Sequence, residues 1–288
     1  MKEHCYNRVA YIAIIFIMVF SGFTIKNISY DCSNDLICNR SELERSKEWL
    51  IETIEDSVDC GEESSIVMDS NDIPHIIYYE NHNSNLEYAR WTGSEWRKTN
   101  VIFGVDSHHS LDIDSDDILH LSYKEEHYPQ GLAYAKRSEY SWIDEIVDYG
   151  PEVGTSSSIA VDSNNHPHIC YRDNENDLFK YARWNGSEWK IDVIDGSADV
   201  GYFNSIAIDS NDHAHISYSY NDWVNCDLKY TRWNGTEWIN ETVDSKGDVG
   251  YSSSMEIDSK DRPHISYLDR SDYKTKYAFH NGNEWVIE

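Results

Sequence analysis

Residues 205–218 read Ser205-Ile206-Ala207-Ile208-Asp209-Ser210-Asn211-Asp212-His213-Ala214-His215-Ile216-Ser217-Tyr218. Small or polar residues alternate with apolar ones from Ser205 to Asp209 and again from His215 to Tyr218. A period of two marks a strand with two unlike faces. Between the runs, Ser210-Asn211-Asp212 is a polar turn in which Asp and Asn side chains can bond their own backbone. The stretch predicts a hairpin of two short strands, A and B. Further along, Leu228 to Trp233 reads as strand C and Trp238 to Val243 as strand D. Asn234-Gly235 between them supplies the tight turn that adjoining strands favour.

The same pattern occurs five times: Ser, four positions later Asp, six later His, three later Tyr. The serines are Ser65, Ser110, Ser158, Ser205 and Ser254; the aspartates are Asp69, Asp114, Asp162, Asp209 and Asp258. The histidines are His75, His120, His168, His215 and His264; the tyrosines are Tyr78, Tyr123, Tyr171, Tyr218 and Tyr267. Successive histidines lie 45, 48, 47 and 49 residues apart. Four short strands in that length is the period of a β-propeller blade. A helical solenoid of similar period would need apolar residues at three-to-four spacing. The expected fold is all-β: a β-propeller of five four-stranded blades, or part of a larger ring, over residues 48–288.

Face chemistry agrees. Ser205, Ala207 and Ser217 put small groups on one face of strands A and B, which suits inner strands that converge on an axis. Bulky rings fall on the outer strands: Trp91, Trp184 and Trp233 end strand C, and Trp96, Trp189 and Trp238 open strand D. The second repeat departs most. It lacks two residues between Trp96 and Ser110 and replaces the W-N-G turn with Arg137-Ser138-Glu139-Tyr140-Ser141-Trp142. Trp49 to Ile54 also matches a D strand, because Trp49 precedes Gly61 by the same twelve residues that separate Trp142 from Gly154. Six D-type segments therefore accompany five A-B-C sets. A rival reading makes residues 41–54 a helix opened by a Ser41/Glu44 capping box, against which the twelve-residue register argues.

Acidic residues outnumber basic ones 52 to 24, a formal charge of −28, so nucleic acid and anionic membrane surfaces are repelled. The chain holds 21 Tyr and 10 Trp but only 7 Phe, amphipathic rings that suit strands. From Val9 to Ile25 no charge occurs, and Lys2 and Arg8 precede the run. It reads as a secretory signal or a single membrane anchor, an N-terminal hydrophobic helix over residues 1–25 followed by a polar linker over 26–47. Either outcome places the repeats outside the cytoplasm, at the cell surface or secreted, with membrane contact through the N-terminal segment only. That compartment permits a Cys32–Cys38 disulfide, and no C-x-x-C pair points to zinc. Cys170, where other repeats have Ser or Ile, reads as a small buried filler. Five sequons (Asn27, Asn39, Asn185, Asn234 and Asn240) are glycosylation candidates, although N-G-S at a hairpin has a sufficient turn explanation.

An active site is needed once, whereas the His and Asp columns recur in every unit. They read as structural ties across each A–B hairpin, in the manner of WD-type propellers. The D-S-[ND]-D turns resemble a calcium cluster but lack the distant bidentate Glu after a Gly turn, so hairpins without a cofactor are expected, with calcium as the weaker alternative. The varied B–C loops, at 80–85, 125–131, 173–177, 220–227 and 269–273, sit together on one face, where binding specificity can reside. Their Glu80, His82, Glu125, Tyr128, Asp173, Trp223, Asp269 and Tyr273 are the candidate ligand-binding residues, rings and carboxylates of the kind that bind sugars.

The blades, with S-I-A-I-D-S-N-D-H-A-H-I-S-Y and L-K-Y-T-R-W-N-G-T-E-W, resemble those of secreted or surface-anchored prokaryotic β-propellers, distantly similar to sialidase-like and fucose-lectin-like propellers. The resemblance runs from Glu48 to Glu288 and implies architecture. Sialidase S-x-D-x-G-x-x-W boxes are missing, and Arg90, Arg183 and Arg232 fall in one repeat column, which suits strand-face ion pairing. The expected function is a binding or scaffold propeller for a glycan or extracellular protein. The alternatives are a glycoside hydrolase or lyase with paired carboxylates at the axis, and a structural surface-layer or adhesion module.

Overall fold

The computed structural model describes residues 51–55, 60–105, 108–138, 141–197, 199–221 and 225–288. The N-terminal hydrophobic segment, the linker with Cys32 and Cys38, Trp49, Leu50 and Trp223 lie outside the described residues. Among the described residues no helix is long and apolar enough to cross a membrane.

Twenty strands form five four-stranded antiparallel sheets, each in sequential order A-B-C-D. Blade 1 holds β1 (Cys60–Met68), β2 (Pro74–Glu80), β3 (Asn85–Trp91) and β4 (Trp96–Phe103). Blade 2 holds β5 (His109–Ile113), β6 (Leu119–Glu125), β7 (Gly131–Arg137) and β8 (Trp142–Tyr149). Blade 3 holds β9 (Val153–Val161), β10 (Pro167–Asp173), β11 (Leu178–Trp184) and β12 (Trp189–Asp195). Blade 4 holds β13 (Val200–Ile208), β14 (Ala214–Asn221), β15 (Cys226–Trp233) and β16 (Trp238–Asp244). Blade 5 holds β17 (Val249–Ile257), β18 (Pro263–Asp269), β19 (Lys274–His280) and β20 (Trp285–Ile287). In four blades strand A starts before the serine that marks the repeat. It carries a bulge there, with Glu63, Ser156, Phe203 and Ser252 at positive φ.

Apolar side chains fill the space between consecutive blades. Leu228, Tyr230 and Val243 of blade 4 pack on Met255, Ile265, Tyr267 and Ala278 of blade 5. In blades 3, 4 and 5 the Trp that opens strand D lies edge-on to the strand-C Tyr of the blade before it: Tyr134–Trp189, Tyr181–Trp238 and Tyr230–Trp285, with centroids 4.8–5.2 Å apart. Gly154 and Gly250 permit the close approach. A Cβ there would lie 2.8 and 2.9 Å from the Cα atoms of Leu132 and Leu228 in the preceding blade, and both glycines have positive φ.

Polar ties repeat at each junction. The turn serine donates its N–H and hydroxyl to the turn acid or amide one blade on: Ser70 to Asp117, Ser115 to Asn165, Ser163 to Asp212 and Ser210 to Asp261. The acceptor residues sit in the left-handed region that Asn and Asp tolerate, with φ of 61, 62, 61 and 58°. Near the axis the amides of Leu111, Ile159, Ile206 and Met255 donate to Ser65, Ser110, Ser158 and Ser205 of the blade before. Strand-B hydroxyls reach back the same way: Tyr171 to Asp148, Tyr218 to Asp195 and Tyr267 to Asp244.

These ties stop between blades 5 and 1. The counterpart pairs Ser259 with Asp72 and Ile66 with Ser254 make no such bonds among the described residues. Ser217 Oγ lies 3.0 Å from Ser253 Oγ, while Ser266, its counterpart in blade 5, is exposed. Tyr277 is 36% exposed where Tyr230 is 2%. A seam therefore interrupts the set of blades. The sequence expectation of a D-type strand at 49–54 is corrected in part: residues 51–55 join no sheet, and β20 fills the outer position of blade 5. Yet Glu52 accepts the Trp96 indole N–H at 3.0 Å, as Glu145 accepts that of Trp189 and Glu241 that of Trp285. The segment keeps the register of a D strand without a sheet. Ile54 packs beside Ile76, Tyr78 and Ala89 on the face of blade 1 that looks toward the seam.

Tyr78 Oη, at this same seam, is buried without a hydrogen-bond partner. Its phenol is a cost that Tyr171, bonded to Asp148 at 2.7 Å, does not carry. Tyr78→Phe is expected to leave stability unchanged or raise it slightly, and Tyr171→Phe to lower it by about 1–3 kcal/mol. Urea unfolding of both variants measures the contrast; equal losses would remove the seam's asymmetry.

Candidate functional site

The repeated residues form a three-strand tie. His Nε2 faces Asp Oδ2 at 3.3 Å in the pairs His75–Asp69, His168–Asp162 and His215–Asp209 and at 3.0 Å in His120–Asp114, while in His264–Asp258 the two lie 3.4 Å apart without a hydrogen bond. The other ring nitrogen meets a strand-C tyrosine: His75 with Tyr88, His120 with Tyr134, His168 with Tyr181, His215 with Tyr230 and His264 with Tyr277, at 2.5–2.8 Å. An ionised carboxylate only accepts, so Nε2 carries the proton and Nδ1 accepts from the phenol. Burial holds His75, His120, His168 and His215 below the ordinary imidazole range. Burial alone would raise Asp162, but bonds from His168 and from the His166 and Asn164 amides hold it down to about 2. Asp Oδ1 also closes each turn by accepting the amides two and four residues on. The tyrosine is the member that the sequence pattern did not assign to the tie.

The B–C loops and the D–A connections share the opposite face from these turns. Glu80, Glu125, Asp173 and Asp269 occupy one place there, the last residue of strand B, and each bonds within its own loop or blade. Glu80 accepts from the His82 and Asn83 amides, and Glu125 from that of His127. Asp173 pairs with Lys180 at 2.6 Å and Asp269 with Lys276 at 3.0 Å; these lysines also reach Asp148 and Asp244 of the preceding blades. All four carboxylates thus shape the loops. His82 is exposed, Tyr128 is 98% and Tyr273 84% exposed, and the two tyrosines stand on loops of different blades. Phe103, Tyr149 and Phe203 add exposed rings to the same face.

One band on this face was not expected from the sequence. Arg172 lies 4.1 Å above the Tyr202 ring, Phe203 packs against Tyr202 and Tyr251, and Arg270 lies 4.5 Å above Tyr251. Blades 3, 4 and 5 are joined there by three aromatic rings with a guanidinium at each end. Arg172 is buried and bonds the Val200 carbonyl, Asn174 and Asp177, so it fastens the loops.

The A strands of all five blades line an axial cavity of about 410 Å³. Two positions after each marker serine stand Val67, Asp112, Ala160, Ala207 and Glu256. The two acids are unrepeated chemistry at the axis. Asp112 accepts from the Ile113 amide at 2.8 Å and the Val161 amide at 2.7 Å. Burial pushes its carboxyl up to about 6 despite those bonds, and the charge of Glu256 adds to the rise. Burial raises Glu256 too. The sequence reading placed small residues at this position from blade 4, where it is Ala207, and so missed the acids that alignment of the five repeats reveals. Among the described residues no group of three or more His, Cys, Asp and Glu is disposed to hold a metal ion. The turn carboxylates accept the turn amides and serine hydroxyls.

No family model and no curated protein matches the chain in sequence. Solved structures match in fold. A polysaccharide lyase of family PL25, an ulvan lyase bound to -[GlcA(1-4)Rha3S]-, has a TM-score of 0.57 at 14% identity, over 76% of this chain and 69% of that one. AofleA from Arthrobotrys oligospora has a TM-score of 0.59 at 11% identity, over 84% and 76%. The SapL1 lectin in complex with alpha methyl fucoside has a TM-score of 0.58 at 14% identity, over 78% of each chain. At such identities the likeness is one of fold, and it agrees with the distant similarity to lectin-like propellers read from the repeats.

Proposed function

We propose that the protein is an exported glycan-binding propeller whose loop face is the binding surface. One observation carries this reading: five exposed aromatic rings, Phe103, Tyr128, Tyr149, Phe203 and Tyr273, all stand at the loop end of the blades. Aromatic planes held on a rigid scaffold suit the apolar faces of sugar rings. The fold neighbours support it, since one is a lectin holding a methyl fucoside and another a lyase holding a polysaccharide fragment. The charge-free run from Val9 to Ile25 supports export, with the repeats at the cell surface or secreted. Folded protein applied to a glycan array is expected to bind a defined set. Tyr128→Ala and Tyr273→Ala are expected to weaken that binding about tenfold each, the scale of one lost stacking ring. A blank array together with a blank pull-down from cell-surface extract would sink the reading.

A second reading, a glycoside hydrolase or lyase, rests on Asp112 and Glu256 in the axial cavity. A carboxyl with its pKa near 6 is suited to general acid work at neutral pH. Turnover separates the readings: release of reducing or unsaturated ends from a bound polysaccharide marks the enzyme.

A further inference from the structure

The face opposite the loops carries a groove between blades 1 and 2, with a cavity of about 360 Å³. Its floor is His75 and Tyr88, and Arg90, Asn71, Asp117 and Arg137 stand around it. Arg137 ends β7 in the column that holds Trp91, Trp184, Trp233 and His280 in the other blades. Its guanidinium lies 4.1 Å from the centroid of the Tyr88 ring and 5.8 Å from that of Trp142. Stacking fixes the plane and leaves the in-plane N–H groups to point elsewhere. Among the described residues Arg137 makes no hydrogen bond or ion pair.

Arg90 is similarly underused. Its nearest carboxylate oxygen, Asp69 Oδ2, is 3.8 Å away, beyond hydrogen-bond reach, and its side chain is half exposed. The acids of the groove are already engaged. Asp69 faces His75 and accepts the Asn71 and Ile73 amides, and Asp117 accepts both donors of Ser70 at 2.7 and 2.6 Å. Two guanidiniums with unused donor forks therefore open on a cavity of sugar-ring size, and planar forks match the oxygens of carboxylate or sulfate. The equivalent junctions put Trp184, Trp233 or His280 where Arg137 stands, so the arrangement occurs once. In a chain of charge −28 a long polyanion is repelled by the surroundings, which restricts the occupant to a short or terminal acidic residue.

We propose that this groove binds a saccharide residue bearing a carboxylate or sulfate, at a site separate from the loop face. The test is titration calorimetry of the full chain with glucuronic acid, glucose 6-sulfate, glucose and sodium sulfate. Both acidic sugars are expected to bind saturably and more weakly at higher salt, with glucose silent and sulfate at least tenfold weaker than the sugars. Arg137→Trp, which installs the residue of three other blades, is expected to abolish binding with the melting temperature kept. If that variant misfolds, Arg137→Gln gives the same readout. Binding of sulfate alone, equal binding of glucose, no binding of either acidic sugar, or undiminished binding by both variants overturns the proposal. Loop-face variants Tyr128→Ala and Tyr273→Ala are expected to bind the acidic sugars as the unsubstituted chain does, and loss of binding in them places the ligand on the loop face instead.

Discussion

His168→Ala is expected to destabilise the folded chain by about 3–5 kcal/mol, and His264→Ala, in the same column, by about 1 kcal/mol. The His168 side chain is 1% exposed and bridges Asp162 to the Tyr181 phenol. Removing it opens a cavity and leaves a carboxylate and a hydroxyl facing each other without the donor and acceptor that joined them. Breaking one partner of a buried polar set costs more than the set contributes net. His264 sits at the seam with its side chain 28% exposed. Arg262 already donates to Asp258 at 2.5 and 2.8 Å, so the acid keeps a partner and water can reach the gap. Urea denaturation at pH 7 measures both. If His168→Ala matched the unsubstituted chain in stability but lost ligand binding, the histidine column would be functional and the tie reading would fail.

The stability of Asp112→Ala relative to the unsubstituted chain is expected to move in the variant's favour by about 2–3 kcal/mol between pH 4 and pH 7. The folded chain holds the Asp112 proton up to about pH 6, whereas the unfolded chain releases it near 3.8, the ordinary value of an Asp carboxyl. Between those values the folded state binds more protons, so rising pH removes stability, and the full penalty stands above pH 6. The two lost amide bonds add a constant offset that does not depend on pH. Alanine is the residue of blades 3 and 4 at this place, so the backbone accepts it. The four buried histidines run in the opposite sense. Their pKa values are depressed in the folded state, so their contribution stands above about 6.5 and is lost as pH falls. Both proteins share that term, and it cancels in the difference. A difference that stays flat from pH 4 to pH 7 would show that Asp112 ionises freely in channel water.

Much of this architecture was legible because it is written five times. Alternation at period two, the turn residues and the Ser, Asp, His and Tyr columns specify local geometry, and local geometry repeated around an axis is the fold. One blade does not represent all five. Glu80, Glu125, Asp173 and Asp269 form a column of their own, and each bonds within its own loop or blade. Asp112 and Glu256 break a column, which is the signature of unrepeated chemistry, yet they were hidden behind Ala207. Arg137 was visible as a departure in the second repeat, but only packing shows it stacked on Tyr88 of the neighbouring blade. The seam was foreshadowed by the surplus D-type segment. Its consequence for Tyr78, Tyr277 and Ser266 depends on contacts between distant parts of the chain, which strand patterning does not encode.

The seam turns a circular problem into a linear one. In a closed ring every blade has two neighbours, and opening any junction costs about the same. Among the described residues blades 2, 3 and 4 carry the repeated ties on both sides, blade 5 carries them toward blade 4, and blade 1 is backed by residues 51–55. The molecule is then a short one-dimensional array, whose stability is a sum over nearest neighbours and whose cooperativity weakens toward its ends. Blade 5, with a three-residue outer strand and none of the repeated ties toward blade 1 among the described residues, is where such an array frays, and the acidic axial cavity loses its Glu256 wall when it does.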